Sequence, residues 1–443
     1  MPGPKPDPVP QDLRLPTRVD TVVIGGGIIG VTTALELAER GQRVALCEKG
    51  EIGAEQSSRN WGWVRISRRD PREIPLMIEA IRAWEGMEAR TGGRTGYRQT
   101  GILFTAQDDR THAQYERWSR NLAPHQIECR MVSGAELDRL LPGHRMRMRG
   151  ALYTPLDGRA EPQWAAPTIA RAARAAGAHV LTQCAVRSLD IEAGRVAGVI
   201  TERGRIACDS VVLAGGAWSR LFAGNAGIYL PQLKVLNTVM RTTPVEGGPE
   251  ASAWAQGFAL RRRADGGYTV ASGTENMVDL VPDSFRLARA FWPAFRAEWR
   301  SLRFRLSRRW AEEAAEARRW TPDEVTPFEV TRILDPAPSQ RVLRSSWAAA
   351  RRAFPVLEGA EVAQSWAGLI DVTPDAIPVI SPVEAVPGLF IGTGFSGHGF
   401  GIGPGAGRLL ADLVTGRAPV VDPADFRLSR FTDGSPIRSE SGF

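Results

Sequence analysis

Short apolar runs and helically spaced apolar positions follow one another closely at the start of the chain. Residues 19–24 (VDTVVI) are rich in β-branched residues, which is typical of a buried parallel strand. Apolar residues at helical spacing occupy 31–40 and are followed by Gly41, a residue type that commonly ends helices. A second strand is predicted over 43–47. Together these segments predict one βαβ unit.

Further along the chain, two more apolar strands run into glycine-rich turns, over 209–216 and 388–394. A helix over 403–415 is expected after the second turn. The segments in between predict helices over 72–92, 134–141, 164–176 and 283–320, strands over 96–106, 179–182, 185–189, 195–201 and 205–208, and β alternation over 229–273. Strands that alternate with helices in this way predict the α/β class.

Composition narrows the possible classes of protein. The 443 residues suffice for two or three domains, and a hydrophobic content of 43% predicts a sizeable buried core. The net charge of +7 comes from arginines dispersed among acidic residues, so we expect no nucleic-acid partner. No apolar run is long enough for a transmembrane helix, and the Pro-rich residues 1–17 are expected to be a flexible arm rather than a signal peptide. The four cysteines lack C-x-x-C spacing, which predicts a cytoplasmic protein without a metal site or disulfides.

The sequence GGGIIG at 25–30 has the G-x-G-x-x-G spacing of dinucleotide-binding turns and lies between the predicted strand and helix. Gly25 permits the tight turn, Gly27 lets the backbone approach a pyrophosphate, and Gly30 allows the helix to pack closely on the strand. The helix N-terminus attracts the phosphate charge. Glu48 closes the second strand, where a carboxylate binds a ribose diol and repels a 2′-phosphate, so NADP is disfavoured. The fingerprint alone does not distinguish NAD from FAD.

Further motifs give the chain a specific resemblance. They are VVLAGGAWS at 211–219, WAG followed by TPDAIPVI within 366–380, and GTGFSGHGFGIGPG at 392–405. With the N-terminal fingerprint, they are similar to motifs of the D-amino-acid oxidase superfamily, which includes glycine oxidase, sarcosine oxidase and dimethylglycine dehydrogenase. The resemblance extends over residues 18–416.

The resemblance implies an α/β fold in which a Rossmann-like FAD-binding domain is assembled from discontinuous segments. A substrate domain with an antiparallel sheet and extra helices is expected beside it. The expected segments are 18–95, 148–228 and 360–420 for the FAD-binding domain, 96–147 and 229–359 for the substrate domain, and 421–443 for a C-terminal tail.

The implied activity is FAD-dependent oxidation of a C–N bond in an amine or amino acid. Hydride transfer to flavin N5 would give an imine that hydrolyses in water. The sequence leaves two alternatives open: oxidation of a C–O bond in a hydroxy acid or polyol phosphate, and a flavin-binding subunit of a larger complex. The expected partners are the small-molecule substrate and an electron acceptor, either oxygen or a quinone, with a homodimer as a further alternative.

The resemblance also assigns residues to the cofactor. The amides around 214–216 would flank the pyrophosphate, the backbone of Val186 would contact adenine, and the 393–403 loop would wrap the isoalloxazine ring. Val186 is alternatively a core residue, and Ser57 and Ser58 are alternatively helix caps. The expected cofactor-binding residues are Gly25, Gly27, Ile28, Ile29, Gly30, Glu48, Lys49, Ser57, Ser58, Arg59, Asn60, Trp61, Gly62, Val186, Ala214, Gly215, Trp218, Gly368, Gly394, Phe395, Ser396, Gly397, His398, Gly399, Phe400 and Gly401.

The mode of flavin attachment differs from that of some relatives. Gly368 stands where monomeric sarcosine oxidases carry the cysteine that holds their flavin covalently. Residues 49–100 contain no histidine, whereas dimethylglycine dehydrogenases attach flavin through a histidine in this region. We therefore expect FAD to be bound non-covalently.

The expected substrate site also departs from the family pattern. Ile370 replaces the arginine by which glycine oxidase and several relatives hold a substrate carboxylate. The neighbouring Asp371 would favour a cationic amine, or it would only cap the turn before Thr373. Arg65, Arg241 and Arg332 are the other candidates for holding a carboxylate.

Three residues are predicted to be catalytic: His398, Asp371 and Arg65. His398 is interpreted either as a general base or as a residue that contacts the flavin or fills space.

An aromatic stripe in the predicted helix over 283–320 has no assigned role. Three roles are considered: a face packed on the substrate domain, a surface for a second copy or another partner, and a peripheral membrane surface. The residues of the stripe are Phe291, Phe295, Trp299, Leu302, Leu306 and Trp310.

Overall fold

The structure is a computed structural model that describes residues 3–273, 276–298 and 302–438. The helices are α1 (Ile28–Glu39), α2 (Gln56–Arg59), α3 (Ile74–Thr91), α4 (Asp109–Ser119), α5 (Gly134–Leu140), α6 (Pro162–Ala175), α7 (Ser219–Asn225), α8 (Pro282–Arg286), α9 (Ala288–Glu298), α10 (Arg309–Ala315), α11 (Pro327–Val330), α12 (Gln340–Ala353) and α13 (Gly399–Thr415). The strands are β1 (Thr21–Ile24), β2 (Val44–Cys47), β3 (Trp63–Val64), β4 (Arg98–Gln99), β5 (Ile102–Ala106), β6 (Arg130–Val132), β7 (Gly150–Thr154), β8 (Gly158–Arg159), β9 (His179–Leu181), β10 (Val186–Glu192), β11 (Arg195–Thr201), β12 (Gly204–Ala207), β13 (Ser210–Leu213), β14 (Leu233–Thr242), β15 (Ser252–Ala255), β16 (Phe258–Arg262), β17 (Tyr268–Ala271), β18 (Asn276–Leu280), β19 (Leu302–Leu306), β20 (Val362–Val372), β21 (Val379–Pro382) and β22 (Leu389–Thr393).

A six-stranded sheet holds the dinucleotide fingerprint. Its strand order is β21-β22-β13-β1-β2-β9, and all neighbours are parallel except β21 and β22. Helix α1 packs against both α6 and α13, and α3 packs against α13. The carboxyl ends of β1, β2, β13 and β22 meet at one edge, where ligands bind in such sheets. This arrangement confirms the predicted α/β fold with a Rossmann-like unit built from distant segments.

A larger sheet forms the second part of the molecule. Its order is β19-β18-β14-β17-β16-β15-β5-β7-β6, with β20 paired to β14, and most neighbours are antiparallel. The β14–β20 pair extends from Leu233 opposite Val372 to Thr242 opposite Val362. Because the end of β20 contacts the loop after β22, this pair places the larger sheet over the carboxyl edge of the six-stranded sheet. The assignment of chain segments to two domains stays a prediction.

The N-terminal residues lie along the surface of the six-stranded sheet. The amide of Asp7 donates to the carbonyl of Gln163, and the Asp12 carboxylate accepts from the amide of Val180 and pairs with Arg174. These contacts attach the segment that the sequence predicts as a flexible arm to α6 and β9. None of the described helices combines the length and the apolar character needed to cross a membrane.

The prediction of one continuous helix over 283–320 is wrong. The described residues of this segment form α8, α9, β19 and α10, and β19 pairs in parallel with β18. Leu302, Phe304 and Leu306 alternate with arginines, so this stretch also fits the two-residue period of a strand, and sheet pairing decides between the two. Trp299, one residue of the predicted stripe, lies outside the described residues. The role of the stripe stays a prediction.

Candidate functional site

A cleft runs along the carboxyl edge of the six-stranded sheet. Its larger part is a cavity of about 780 Å³ between the two sheets, and its smaller part is a cavity of about 110 Å³ at the ends of β2 and β13. The residues that line both parts are Gly27, Gln56, Ser57, Ala214 and Gly216. The cleft therefore has the elongated form that a dinucleotide requires, with the N-terminus of α1 near its middle.

Most of the predicted cofactor-binding residues lie in this cleft. In addition to Gly27, Ser57 and Ala214, the larger cavity is lined by Ile28, Ile29, Arg59, Asn60, Trp61, Gly368, Phe395, Ser396, Gly397, His398, Gly399, Phe400 and Gly401. The smaller cavity adds Gly25, Glu48, Lys49, Val186, Gly215 and Trp218. The fold thus brings these predicted residues together from six separate parts of the chain: 25–29, 48–61, Val186, 214–218, Gly368 and 395–401.

The fingerprint glycines make a cradle that no other residue type would fit. A Cβ on Gly30 would lie 1.8 Å from the carbonyl oxygen of Gly25, and Gly25 itself has φ of +107°. Gly27 precedes α1 without a side chain to cap it, and the amide of Ile28 donates to Ser57 Oγ at 2.8 Å. The positive end of α1 is therefore open to a pyrophosphate, so the expected FAD fits this part of the cleft.

The smaller cavity has the features expected of an adenosine site. The carboxylate of Glu48 is fixed by the amides of Gly26 and Gly50, each 2.7 Å away, and burial raises its pKa. Lys49 pairs with Glu55 at 2.7 Å, and its Nζ lies 4.6 Å from the centre of the Trp218 ring. A preoriented carboxylate at the end of β2 suits a ribose diol.

Ser58 and Gly62 do not line either cavity, and their predicted contact with the cofactor stays a prediction. Ser58 is fully buried and its hydroxyl donates to the carbonyl of Glu55 at 3.3 Å. Gly62 has φ of +78°, and a Cβ there would lie 2.6 Å from the carbonyl oxygen of Ala160. Ser58 therefore faces away from the cleft within α2, and Gly62 allows the backbone to turn after α2.

Arg59 lines the larger cavity but its charge is already balanced. Its guanidinium pairs with Asp335 and donates to the carbonyl of Ala367 at 2.9 Å. Asn60 stabilises the following turn by accepting from the amide of Gly62 at 2.7 Å, and Trp61 donates to Asn237 at 3.1 Å. This segment holds the cavity wall in place.

The loop from Gly394 to Gly401 closes one side of the larger cavity. The amide of Gly394 donates to the Asp371 carboxylate at 2.7 Å, although Gly394 itself does not line the cavity. The carbonyl of Gly401 accepts from Trp84 Nε1 at 2.8 Å, and α13 begins within the loop. The loop is therefore held by hydrogen bonds at both ends.

Asp371 lies at the end of β20, and its predicted role in binding a cationic amine stays a prediction. Its side-chain oxygen Oδ2 accepts from Gln232, Thr393 and Gly394, and the residue is 3% exposed. Burial raises the pKa of this carboxyl to about 6. All three donors contact Oδ2, so this oxygen holds the loop to the end of β20, and Asp371 also lines the larger cavity.

Three arginines near one another lie in the wall of the larger cavity: Arg65, Arg68 and Arg69. None of them forms an ion pair with a carboxylate of the described residues. The guanidinium of Arg68 lies over the rings of Phe104 and Tyr115, at 5.4 and 5.0 Å from their centres. Burial, followed by repulsion from Arg69 and Arg68, lowers the pKa of Arg65 to about 9. Three clustered arginines without an ion-pair partner among the described residues make this wall a candidate anion site.

The other two arginine candidates lie elsewhere. Arg332 pairs with Glu202 and donates to the carbonyl of Lys49 at 3.0 Å, beside the smaller cavity. Arg241 lies 4.0 Å from Asp265 and does not line either cavity. Of the three predicted carboxylate-binding candidates, only Arg65 is in the larger cavity.

Several residues of the cavity were not predicted from the sequence. Trp63 and Trp254 line the larger cavity with Trp61, and the three rings lie 5.3–6.1 Å apart. Arg68 follows Arg65 closely on the same loop. Its proximity to Arg65 in the sequence is the signal from which its place in the cavity could have been predicted. The position of Trp254 depends on the pairing of β15 with β5, which no local pattern reveals.

Comparison with known proteins agrees with this geometry. Residues 20–413 match the FAD dependent oxidoreductase (DAO) family. The chain is 28% identical to glycine oxidase of Pseudomonas aeruginosa, over 91% of this chain and 97% of the relative. It is 25% identical to sarcosine oxidase subunit beta of Rhodobacter capsulatus, over 95% of this chain and 90% of the relative. The solved structure of L-amino acid deaminase from Proteus myxofaciens, in complex with anthranilate, is similar with a TM-score of 0.91 and 33% identity, over 98% of this chain and 97% of that one. The chain belongs to the DAO family of FAD-dependent oxidoreductases.

Proposed function

We propose that this enzyme oxidises the C–N bond of an α-amino acid with a bulky apolar side chain. The immediate product is an imine, which water hydrolyses to a 2-oxo acid and ammonia. The observation that carries this proposal is the position of Arg65 and Arg68, two cations without ion-pair partners among the described residues, in the wall of a largely aromatic cavity.

The charge of the cavity favours a substrate with a carboxylate. A carboxylate would supply the ion-pair partner that Arg65 and Arg68 lack among the described residues, and guanidinium groups bind carboxylates in bidentate geometry. Oδ2 of Asp371 already accepts from three protein donors, whereas Arg65 and Arg68 have no ion-pair partner among the described residues. An amino acid is therefore favoured over a simple amine.

The remaining lining favours an apolar side chain. Trp61, Trp63 and Trp254 form one cluster in the lining, and Phe291 and Trp292 of α9 also line the cavity. Burial of an aliphatic or aromatic group against such walls contributes about 1.5–3 kcal/mol. The names of the related proteins support this substrate class, since one is an L-amino acid deaminase whose solved complex contains anthranilate, an aromatic carboxylate.

Each part of the chain has a defined task in the proposed reaction. FAD, when bound, supplies the hydride acceptor. The arginines bind and orient the carboxylate, and the aromatic walls exclude water around the reacting carbon. The glycine cradle and the 394–401 loop hold the cofactor.

Anaerobic titration of the purified yellow protein tests the proposal. Amino acids with bulky apolar side chains are expected to bleach the flavin absorbance and release ammonia and a 2-oxo acid. The corresponding decarboxylated amines are expected to react far less efficiently. Bleaching by hydroxy acids or polyol phosphates without ammonia would overturn the proposal, and so would a stronger response to the amines. Bleaching by the isolated chain would also show that no further subunit is needed.

A further inference from the structure

Four buried polar atoms without a hydrogen-bond partner among the described residues come from three neighbouring side chains behind the 394–401 loop. They are Glu73 Oε1 and Oε2, Arg69 Nη1 and His398 Nδ1. Glu73 is completely buried, and its Oε2 lies 3.5 Å from His398 Nδ1. Buried polar atoms nearly always have partners, so such a cluster requires an explanation.

The charges around Glu73 determine which hydrogen bond can form. The guanidinium of Arg69 interacts favourably with the carboxylate of Glu73. An ionised carboxylate accepts hydrogen bonds and donates none. The ring nitrogen that faces it must therefore carry a proton, because otherwise two lone pairs would oppose each other in a dry site.

The other ring nitrogen of His398 is available to the cavity. His398 is one of the residues that line the larger cavity, and Nε2 has no protein hydrogen-bond partner among the described residues. If Nδ1 carries the proton, Nε2 of the neutral ring has a free lone pair. Resting on the proposed amino-acid oxidation, we propose that Glu73 is a positioning residue that holds His398 as the Nδ1–H tautomer, so that Nε2 accepts a hydrogen bond from the substrate amine.

This arrangement suits an α-amino acid, whose amine and carboxylate share one carbon atom. A group that binds the amine must therefore lie close to the groups that bind the carboxylate. His398 meets this requirement, because its carbonyl accepts a hydrogen bond from Arg69 at 3.2 Å on the same arginine-lined wall. When the amine and the carboxylate are both bound, the substrate cannot rotate about its α-carbon. The C–H bond of this carbon therefore keeps a fixed orientation in the cavity.

The protonation state of His398 agrees with a role as acceptor. The charged groups around it are Arg65, Arg69 and Glu73, with Asp157 near the two arginines. Burial, followed by the charge of Arg69, lowers the pKa of His398 to about 4. The ring is therefore neutral at physiological pH and keeps its lone pair, and its weak basicity favours hydrogen bonding to the amine over removal of a proton from it.

Nitrogen NMR of the FAD-loaded protein tests the tautomer directly. The chain has five histidines, and the His398 signals are those that disappear in His398→Asn protein labelled with ¹⁵N-histidine. We expect the Nδ1–H tautomer in the wild type. In Glu73→Gln the amide oxygen is expected to face Arg69 and the amide N–H to face His398, which would shift the ring to the Nε2–H tautomer. Glu85→Gln, at an exposed position of α3, the helix that follows Glu73, is the matched control and should leave the signals unchanged. An Nε2–H tautomer in the wild type would overturn the proposal.

Steady-state kinetics separates this proposal from the proposed function. Glu73→Gln is expected to lower kcat at least tenfold for an apolar amino acid while KM changes less than threefold, because the carboxylate anchor is intact. If the tautomer changes but kcat does not, the role of Glu73 is refuted and amino-acid oxidation stands. If the wild type oxidises no amino acid, the proposed function fails, and the link from His398 to a substrate amine fails with it.

Discussion

The carboxylate of Asp371 accepts a hydrogen bond from the backbone amide of Gly394 at 2.7 Å. The carbonyl of Asp371 also accepts from the amide of Ser396 at 2.9 Å, and the hydroxyl of Ser396 accepts from the amide of Thr373 at 3.2 Å. These contacts join the end of β20 to the loop after β22, although the two segments belong to separate motifs in the sequence. Asp371 therefore holds the loop that lines the cavity, in addition to lining the cavity itself.

Replacement of Asp371 by Asn should change the pH dependence of stability. Burial raises the pKa of this carboxyl from 3.8 to about 6, so the folded state binds the proton more tightly than the unfolded state. The stability contributed by this proton is fully present below about pH 3.8 and is lost as the pH rises through about 6. The free energy of unfolding of the wild type should therefore fall relative to that of Asp371→Asn, by on the order of 1–3 kcal/mol, between pH 4 and 7.

Urea unfolding of both proteins at a series of pH values measures this difference. Asp323→Asn, at an exposed position, is the control and should follow the wild type at every pH. A constant difference between the wild type and Asp371→Asn from pH 4 to 7 would contradict the prediction.

Replacement of Gly30 by Ala should abolish FAD binding. The new Cβ would lie 1.8 Å from the carbonyl oxygen of Gly25, so the turn between β1 and α1 must move. We expect a loss of flavin absorbance relative to protein absorbance and a destabilisation of a few kcal/mol. Gly224→Ala is the matched control, because a Cβ on Gly224 in α7 meets no atom within 4 Å. Purification of Gly30→Ala with a full complement of FAD would show that the cradle tolerates a side chain.

The sequence predicted those parts of the site that depend on local signals. The turn at Gly25 follows from glycine spacing between a strand and a helix, and the turn after β22 follows from a motif of the same kind. The function of Glu73 depends instead on the packing of α3 against α13, which brings it to His398 from a distant part of the chain. Similarly, Leu302–Leu306 fits both a helical and a strand period, and only its pairing with β18 selects the strand. Long-range packing therefore determined what the sequence pattern left undecided.

All of the FAD should be released when the protein is precipitated with acid. Gly368 lines the cavity where a cysteine would be needed for covalent attachment, and a Cβ there would already lie 3.3 Å from the Cβ of Arg59. Absorbance of the supernatant and of the redissolved pellet measures the distribution of flavin. Yellow colour that remains with the washed pellet would contradict non-covalent binding. The candidate attachment residue would then be His398, the histidine among the described residues that line the larger cavity.

Replacement of Arg68 by Met should weaken the selection of amino acids over amines. Met retains an apolar side chain that can pack on Phe104 and Tyr115, so the variant removes the charge with little loss of packing. A hydrogen-bonded charge contributes about 1.5–3 kcal/mol, so kcat/KM for an apolar amino acid is expected to fall by roughly 10- to 150-fold. The value for the decarboxylated amine of the same side chain should change little, because that amine has no carboxylate to lose.

The ratio of the two kcat/KM values is the decisive measurement, because it cancels any general effect on flavin content or folding. Arg110→Met, at an exposed position of α4, is the matched control and should leave the ratio unchanged. Arg68→Lys should recover part of it, since lysine restores the charge but not the bidentate geometry. If Arg68→Met leaves the ratio unchanged while Asp371→Asn alters it, the carboxylate of Asp371 determines substrate charge after all. In that case Arg65, Arg68 and Arg69 bind an anion other than the substrate, and the substrate is a cationic amine.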